Sequence, residues 1–274
     1  MIHHESLTDI GGRAYMEDVL QVVDGDDQRW CSICVADGHG GASVAHRTIQ
    51  LLPKACVRAL SGEDVDTDDH VAVSKVLWKA FNDVDQVILS ESQTHVGATF
   101  CGLFYDRRTS KLIAANCGDT MAAVFFSGGR GGDLRSELVS AEHKASSEVA
   151  ALQARGATVV DVYGMMRVQG TLNLSRAMGD GYLKKYIICS PAVTVVRLDR
   201  LRSADEASPI CAIVASDGVW DVLDKDDLAV ILKNHRVLDP AVGRDNLKAA
   251  AETIHQLSRL KGSTDNVALV IALL

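Results

Sequence analysis

Apolar positions along the chain follow two periods. Runs at 19–23, 28–36, 98–105, 111–116, 121–126, 192–198, 211–216 and 267–274 are continuously or alternately apolar, the pattern of strands. Val44, Ala45, Ile49, Leu52, Ala55, Cys56 and Ala59 recur at helical spacing and predict a helix over 42–60. Val73, Val76, Leu77, Ala80, Val84, Val87 and Ile88 do the same over 71–90, and further helices are expected over 142–156, 226–233 and 240–259. A polar turn at 24–27 makes 19–23 and 28–36 an antiparallel hairpin. Such a hairpin sets Glu17 and Asp18, ahead of one arm, beside Asp37 at the end of the other. Cys117-Gly118-Asp119-Thr120 reads as a tight hairpin turn between 111–116 and 121–126.

The segments between these elements carry less signal. Residues 1–12 are polar and read as a surface terminus, His3 and His4 included. The acidic stretch 61–70 reads as a solvated linker. The glycine-rich 127–133 contains no Gly-Lys-Ser/Thr, so it reads as a hairpin tip and not as a nucleotide loop. Residues 158–166 are irregular or extended, 170–178 are mixed, and Gly179-Asp180-Gly181 breaks the chain. No repeat and no linker marks a boundary. The expectation is a single domain over 1–274, mixed α/β with antiparallel hairpins, carrying a lobe beside the site within about 142–190.

Composition narrows the partners. A hydrophobic fraction of 47% supports a real core, and a net charge of −8 without a basic run or basic-aromatic stripe argues against nucleic acid. Seven cysteines (Cys31, Cys34, Cys56, Cys101, Cys117, Cys189 and Cys211) sit mostly inside apolar runs, which fits reduced, buried thiols. No secretory leader opens the sequence, no apolar run is long enough to span a bilayer, and Ile2 stands where N-myristoylation needs glycine. A monomer of the cytoplasm, with the nucleus also open to it, off the membrane and not secreted, is the expectation.

The chemistry gathers at strand ends. The apolar run 30–36 feeds directly into Asp37-Gly38-His39-Gly40-Gly41, with a helix beyond. This strand–turn–helix sets one carboxylate and one imidazole at a sheet end, and the backbone there can approach an ion closely, so the Gly38 carbonyl is a candidate ligand too. Acid-bearing turns recur at Asp119, Asp217 and Asp265, with Glu17, Asp18 and Asp221 close by in the sequence. Carboxylates clustered at sheet ends repel one another unless cations lie among them, and all-oxygen sites suit Mg²⁺, Mn²⁺ or Ca²⁺. Two such ions about 4 Å apart, sharing a carboxylate, make a clamp for hydrolysis. Arg13 offers a guanidinium fork for phosphate and His39 a titratable proton donor.

These runs resemble the metal-dependent protein phosphatases of the PPM family, the type 2C serine/threonine phosphatases. The matching stretches are Arg13-Ala-Tyr-Met-Glu17-Asp18, Asp37-Gly-His39-Gly-Gly41, Gly97-Ala-Thr99, Asn116-Cys-Gly-Asp119, Ser175-Arg176-Ala-Met-Gly-Asp180, Ala215-Ser-Asp217-Gly-Val-Trp-Asp221 and Ser263-Thr-Asp265-Asn266. They keep the family's order and span nearly the whole chain. The resemblance implies an α+β fold: a four-layer αββα sandwich of two antiparallel sheets flanked by helices, with metals at one end between the sheets. It implies that Asp37 bridges two tightly bound Mg²⁺ or Mn²⁺ ions, that Asp217 and Asp265 complete one shell, and that Glu17 and the Gly38 carbonyl serve the other. Asp18 orders metal-bound water, Arg13 holds phosphate, and Asp119 with Asp221 suits a third, weaker ion. The implied reaction is hydrolysis of phosphoserine and phosphothreonine in phosphorylated proteins, by direct attack of a metal-bridging hydroxide. His39 protonates the leaving oxygen and no phosphoenzyme forms.

The chain departs from the usual pattern at Thr120-Met121, at Glu142-His143-Lys144, in the helix over 148–156 and at Leu172-Asn173-Leu174. None of these is a metal ligand; substrate preference and regulation are what they touch. Rival readings are weaker. Cys101 and Arg107 satisfy Cys-x5-Arg, yet the residues between them read as strand and not as a phosphate-cradling loop. Cys31 and Cys34 lack a second cysteine pair for zinc and point to opposite faces of a strand. His95 and His143 read as structural or surface residues, and Arg176 as support for the site. The alternative from another class is a catalytically weak binding or regulatory module of the same fold; the metal acids and the phosphate arginine are all present against it.

Overall fold

The computed structural model describes residues 2–24, 29–63, 65–91, 95–128, 134–202 and 209–274. Most of the turn 24–27, Asp64 in the acidic stretch and most of the glycine-rich 127–133 lie outside the described residues. In chain order the elements are strands β1 (His3–Asp9), β2 (Val19–Asp24), β3 (Trp30–Ala36) and β4 (Gly38–His39), then helices α1 (Ser43–Leu60) and α2 (His70–Glu91). Strands β5 (Gly97–Ala98), β6 (Phe100–Asp106), β7 (Lys111–Cys117), β8 (Met121–Ser127) and β9 (Leu134–Leu138) follow, then α3 (Val149–Ala154). Next are β10 (Val159–Val162), β11 (Met165–Val168), β12 (Met178–Gly179), β13 (Ala192–Arg197), α4 (Leu198–Leu201) and β14 (Cys211–Ala215). The short α5 (Asp217–Trp220), then α6 (Lys225–Asn234), α7 (Gly243–Leu260) and β15 (Val267–Leu273), complete the chain.

Two five-stranded antiparallel sheets dominate, in the orders β1-β15-β14-β8-β9 and β13-β7-β6-β3-β2. Their alternation builds three stacked cores. On β3, Cys31, Ile33 and Val35 face the other sheet, while Trp30, Cys34 and Ala36 face α1 and α2. On β14, Ala212 and Val214 face inward and Cys211, Ile213 and Ala215 face α5, α6 and α7. A strand buried on both faces reads as a continuous apolar run, which is why these were legible. Each large side chain fully buried here, such as Phe100 or Leu103, contributes roughly 1.5–3 kcal/mol relative to exposure. The result is the α+β, four-layer αββα sandwich. Among the described residues, no helix is long and apolar enough to cross a membrane.

Several expectations change. The polar terminus is a strand: β1 pairs with β15 from His3↔Leu273 to Asp9↔Val267. Only its partner makes it one, because β1 is an edge strand without an unbroken apolar face. The run 111–126 is not a hairpin. Strand β7 belongs to one sheet and β8 to the other, so the turn between them is a corner joining the two layers. The run 98–105 breaks at Thr99, whose N–H donates to the Asp37 carbonyl (2.8 Å). The helix over 142–156 shrinks to Val149–Ala154: residues ahead of it bond across to residues 173–175, with Ala145 N–H on the Asn173 carbonyl and Ser175 N–H on the His143 carbonyl. Residues 158–166 contribute to an ordered hairpin, β10–β11. A fourth apolar cluster, around Leu152, Val168, Leu174, Leu183 and Ile187, lies within 145–187.

Candidate metal centre

The acids converge because of register. Val19 of β2 lies opposite Ala36 of β3, so Glu17 and Asp18 stand just ahead of β2 beside Asp37, just beyond β3. Ala215 of β14 lies opposite Leu269 of β15, which brings Asp217 and Asp265 to the same end of the other sheet. Asp119 sits on the corner that links the sheets. One carboxylate oxygen from each of Asp37, Asp119 and Asp217 lies within 4.8 Å of the other two. The corner is shaped for this: Gly118 has φ +105, and a Cβ there would run into the Thr99 side chain. Buried His143 braces it, its backbone N–H donating to the Gly118 carbonyl (3.1 Å) and its Nδ1 lying 3.3 Å from the Gly118 N–H. Burial holds the His143 pKa down to about 4, so the neutral ring can accept that hydrogen bond.

The cluster is electrostatically strained. Burial, then repulsion from Asp217, Asp18 and Asp119, pushes the Asp37 carboxyl well above the usual carboxylate range. Burial raises Asp18 to about 7, against a hydrogen bond from Ser216 and together with the charge of Asp217. Burial and Asp217 raise Asp119 to about 8, and burial and Asp265 raise Asp217 to about 6. This is an all-oxygen donor set whose members cannot all hold charge side by side. A hard divalent cation supplies the missing positive charge, so the residues fit one.

The remaining predicted residues fall in different places. Asp18 accepts a hydrogen bond from the Ser216 hydroxyl (2.7 Å), and that hydroxyl accepts from the Ala268 N–H (3.0 Å). Glu17 is half-buried and its N–H donates to Asn266 Oδ1 (2.8 Å); Asn266 Nδ2 also holds the Ile10 and Tyr15 carbonyls, so it clips the segment carrying Arg13 and Glu17. Gly38 packs closely on the Glu17 carbonyl, where a Cβ would lie 2.7 Å away. Arg13 is more than half exposed and pairs with Asp265. Asp221 is exposed, outside the three-acid cluster, and paired with Lys144 (2.8 Å), which also holds Glu142 (2.9 Å). Arg176 is bound to Glu148 and the Ser190 carbonyl. Cys101 is fully buried on β6, and burial raises its thiol pKa far above the ordinary value, the opposite of a nucleophile. His39 Nε2 lies 2.8 Å from Asp180 Oδ2. No site role follows from the sequence for Lys144, Ser216 or Asp180; Ser216 and Asp180 lie within matched stretches, but nothing local names their partners.

These shifts have a sign. For an acid whose pKa rises on folding, the folded state holds a proton that the unfolded chain has released. The stability this contributes is complete below the ordinary value of 3.8 and is lost as pH climbs through about 6 to about 8. The metal-free protein should therefore melt at a lower temperature at pH ~8 than at pH ~5.5, and Mn²⁺ should narrow the gap by taking the protons' place. Thermal melts in EDTA and in Mn²⁺ check this; a metal-free melting temperature that climbs across that window would contradict it.

Comparison with known proteins agrees with the fold. The family model described as Protein phosphatase 2C matches residues 10–267. Probable protein phosphatase 2C 32 of Oryza sativa subsp. japonica is 26% identical over 263 residues, covering 94% of this chain and 62% of that protein. Protein phosphatase 2C 56 of Arabidopsis thaliana is 31% identical over 259 residues, covering 86% of this chain and 56% of that protein. The chain thus spans about three fifths of the length of these relatives. A crystal structure of serine-threonine phosphatase 2C from Toxoplasma gondii shares the fold, with TM-score 0.79 at 19% identity over 99% of this chain and 94% of that one.

Proposed function

The chain belongs to the protein phosphatase 2C family, and from that premise we propose that it hydrolyses phosphoserine and phosphothreonine in proteins with Mg²⁺ or Mn²⁺. The observation that carries the reading is the cluster of Asp37, Asp119 and Asp217, three oxygen donors raised in pKa by burial and by the charge of neighbouring acids. We assign Asp37 to two ions, Asp217 and Asp265 to one of them, Glu17 and the Gly38 carbonyl to the other, and Asp119 with Asp221 to a third and weaker one. When bound, the ions supply Lewis acidity that activates water and offsets phosphate charge. Asp18, held by Ser216, orients water at the cluster. Arg13 exchanges its contact with Asp265 for the substrate phosphate, an exchange its exposure permits. His39 gives a proton to the departing seryl or threonyl oxygen.

The test is phosphate release from phosphoserine and phosphothreonine peptides with Mn²⁺ and with EDTA. Release with Mn²⁺ and none with EDTA is expected. Peptide binding without release in either condition would replace this reading with that of a binding module.

The weak ion gives a second test. Lys144 already neutralises Asp221, so a cation there must displace an ammonium, and the site should fill only at high metal concentration. Asp119→Asn keeps the shape of the corner and its oxygen acceptor but removes the charge. It should leave the tight pair and the fold intact while lowering turnover at millimolar metal. Metal titration of activity with calorimetry checks this; unchanged turnover over the whole range would leave Asp119 a structural corner residue only.

A further inference from the structure

The small sheet has the order β12-β5-β4, and its register is His39↔Gly97 and Gly97↔Gly179. Gly97 therefore lies between His39 and the strand that ends one residue before Asp180. Its missing side chain is what makes room: a Cβ on Gly97 would overlap both Asp180 Oδ2 and His39 Nε2. Asp180 is 1% exposed and takes a left-handed backbone, φ 52 and ψ 47, a conformation that disfavours residues with a Cβ. Its N–H is held by the Val96 carbonyl (3.0 Å). The residue before it is held too: Gly179 N–H donates to Asp85 Oδ1 (2.7 Å), and Asp85, also 1% exposed, pairs through Oδ2 with Lys184 (2.9 Å). A buried acid in a strained conformation persists only where its surroundings over-determine it. Here those surroundings aim one oxygen at His39 (2.8 Å) and, among the described residues, leave Oδ1 without a hydrogen-bond partner.

We propose that Asp180 is the positioning residue for His39. It accepts the Nε2–H, fixes the plane of the ring and leaves Nδ1 as the nitrogen that faces the leaving oxygen. As water attacks phosphorus, the P–O bond to the seryl oxygen breaks and its electron pair stays on that oxygen. The oxygen takes the proton from Nδ1 while the Nε2–H remains on Asp180. The inference rests on the hydrolytic reading and on His39 as the proton donor, and adds the group that orients it.

Asp180→Gly is the informative variant, because glycine suits φ 52 and relieves the strain while removing the carboxylate. It should lower kcat on a phosphoserine peptide by about 10²-fold, the cost of a misplaced reacting group, with KM little changed. The loss should be smaller on an aryl phosphate, whose leaving group needs less protonation. Asp180→Asn tolerates the left-handed backbone and keeps an oxygen for the Nε2–H, so it should recover most of the lost rate. Adding Asp180→Gly to His39→Ala should cost nothing further, and calorimetric Mn²⁺ binding should match the wild type. Equal losses on both substrates, or losses that multiply in the double variant, would overturn the inference while leaving the hydrolytic reading standing. A wild-type protein that releases no phosphate would remove both.

Discussion

Asp37→Ala should cut turnover by about 10³-fold or more and at the same time raise the melting temperature of the metal-free protein near pH 8. The two effects share one cause. Asp37 lies beyond the last residue of β3, and its carboxyl is raised by burial and then by Asp217, Asp18 and Asp119 together. Removing it deletes those repulsions, so a fold strained by crowded charge gains stability when no cation offsets them. Removing it also deletes the one side chain assigned to both ions, so affinity for the pair and its shared geometry fall together. Steady-state hydrolysis over a Mn²⁺ titration, beside melts in EDTA, measures both. Near-normal turnover at saturating Mn²⁺ would remove the two-ion assignment. A lower melting temperature without metal would mean that Asp37 serves packing and not a charged cluster.

His39→Ala should lower the rate on phosphoserine peptide by about 10²–10⁴-fold, the usual contribution of a positioned general acid. A seryl alkoxide is a poor leaving group and needs a proton as the P–O bond breaks. An aryl phosphate departs as a stabilised phenolate, so its rate should fall much less. His39 suits the task by its surroundings: it is a quarter exposed, on the two-residue strand Gly38–His39 directly after Asp37, with its Nε2 on a buried carboxylate. The ratio of the two losses decides the matter. Equal losses would recast His39 as a residue that holds the Gly38 carbonyl in place, with no part in proton transfer.

Much of the architecture is local information. The continuous runs of β3, β6, β7, β8, β14 and β15 announce strands covered on both faces, and the spacing in α1 and α2 announces one apolar stripe each. The acids at strand ends are equally local, since Asp37 follows β3 and Asp217 follows β14 whatever the rest of the chain does. Cys31 and Cys34 face different cores because a strand alternates, a rule that needs no partner.

Pairing is not local. Periodicity says that 111–116 and 121–126 are strands, but which sheet each joins depends on partners elsewhere: β7 on β6 and β13, β8 on β14 and β9. The same dependence turned an unpatterned terminus into β1, which borrows its hydrogen bonds from β15, and dissolved most of the helix over 142–156, whose backbone groups bond to Asn173 and Ser175. Side-chain pairs follow suit. His39 with Asp180, Lys144 with Asp221 and Arg13 with Asp265 are separated by long stretches of chain, and nothing in the flanking residues of either partner names the other. Local pattern suffices for the doubly covered strands, the helices α1 and α2 and the acids at strand ends, because steric and hydrophobic preferences act over a few residues. Strand order, the inter-sheet corner at Gly118-Asp119 and the partners of each charged group come from long-range contacts, whose free energy no short segment contains.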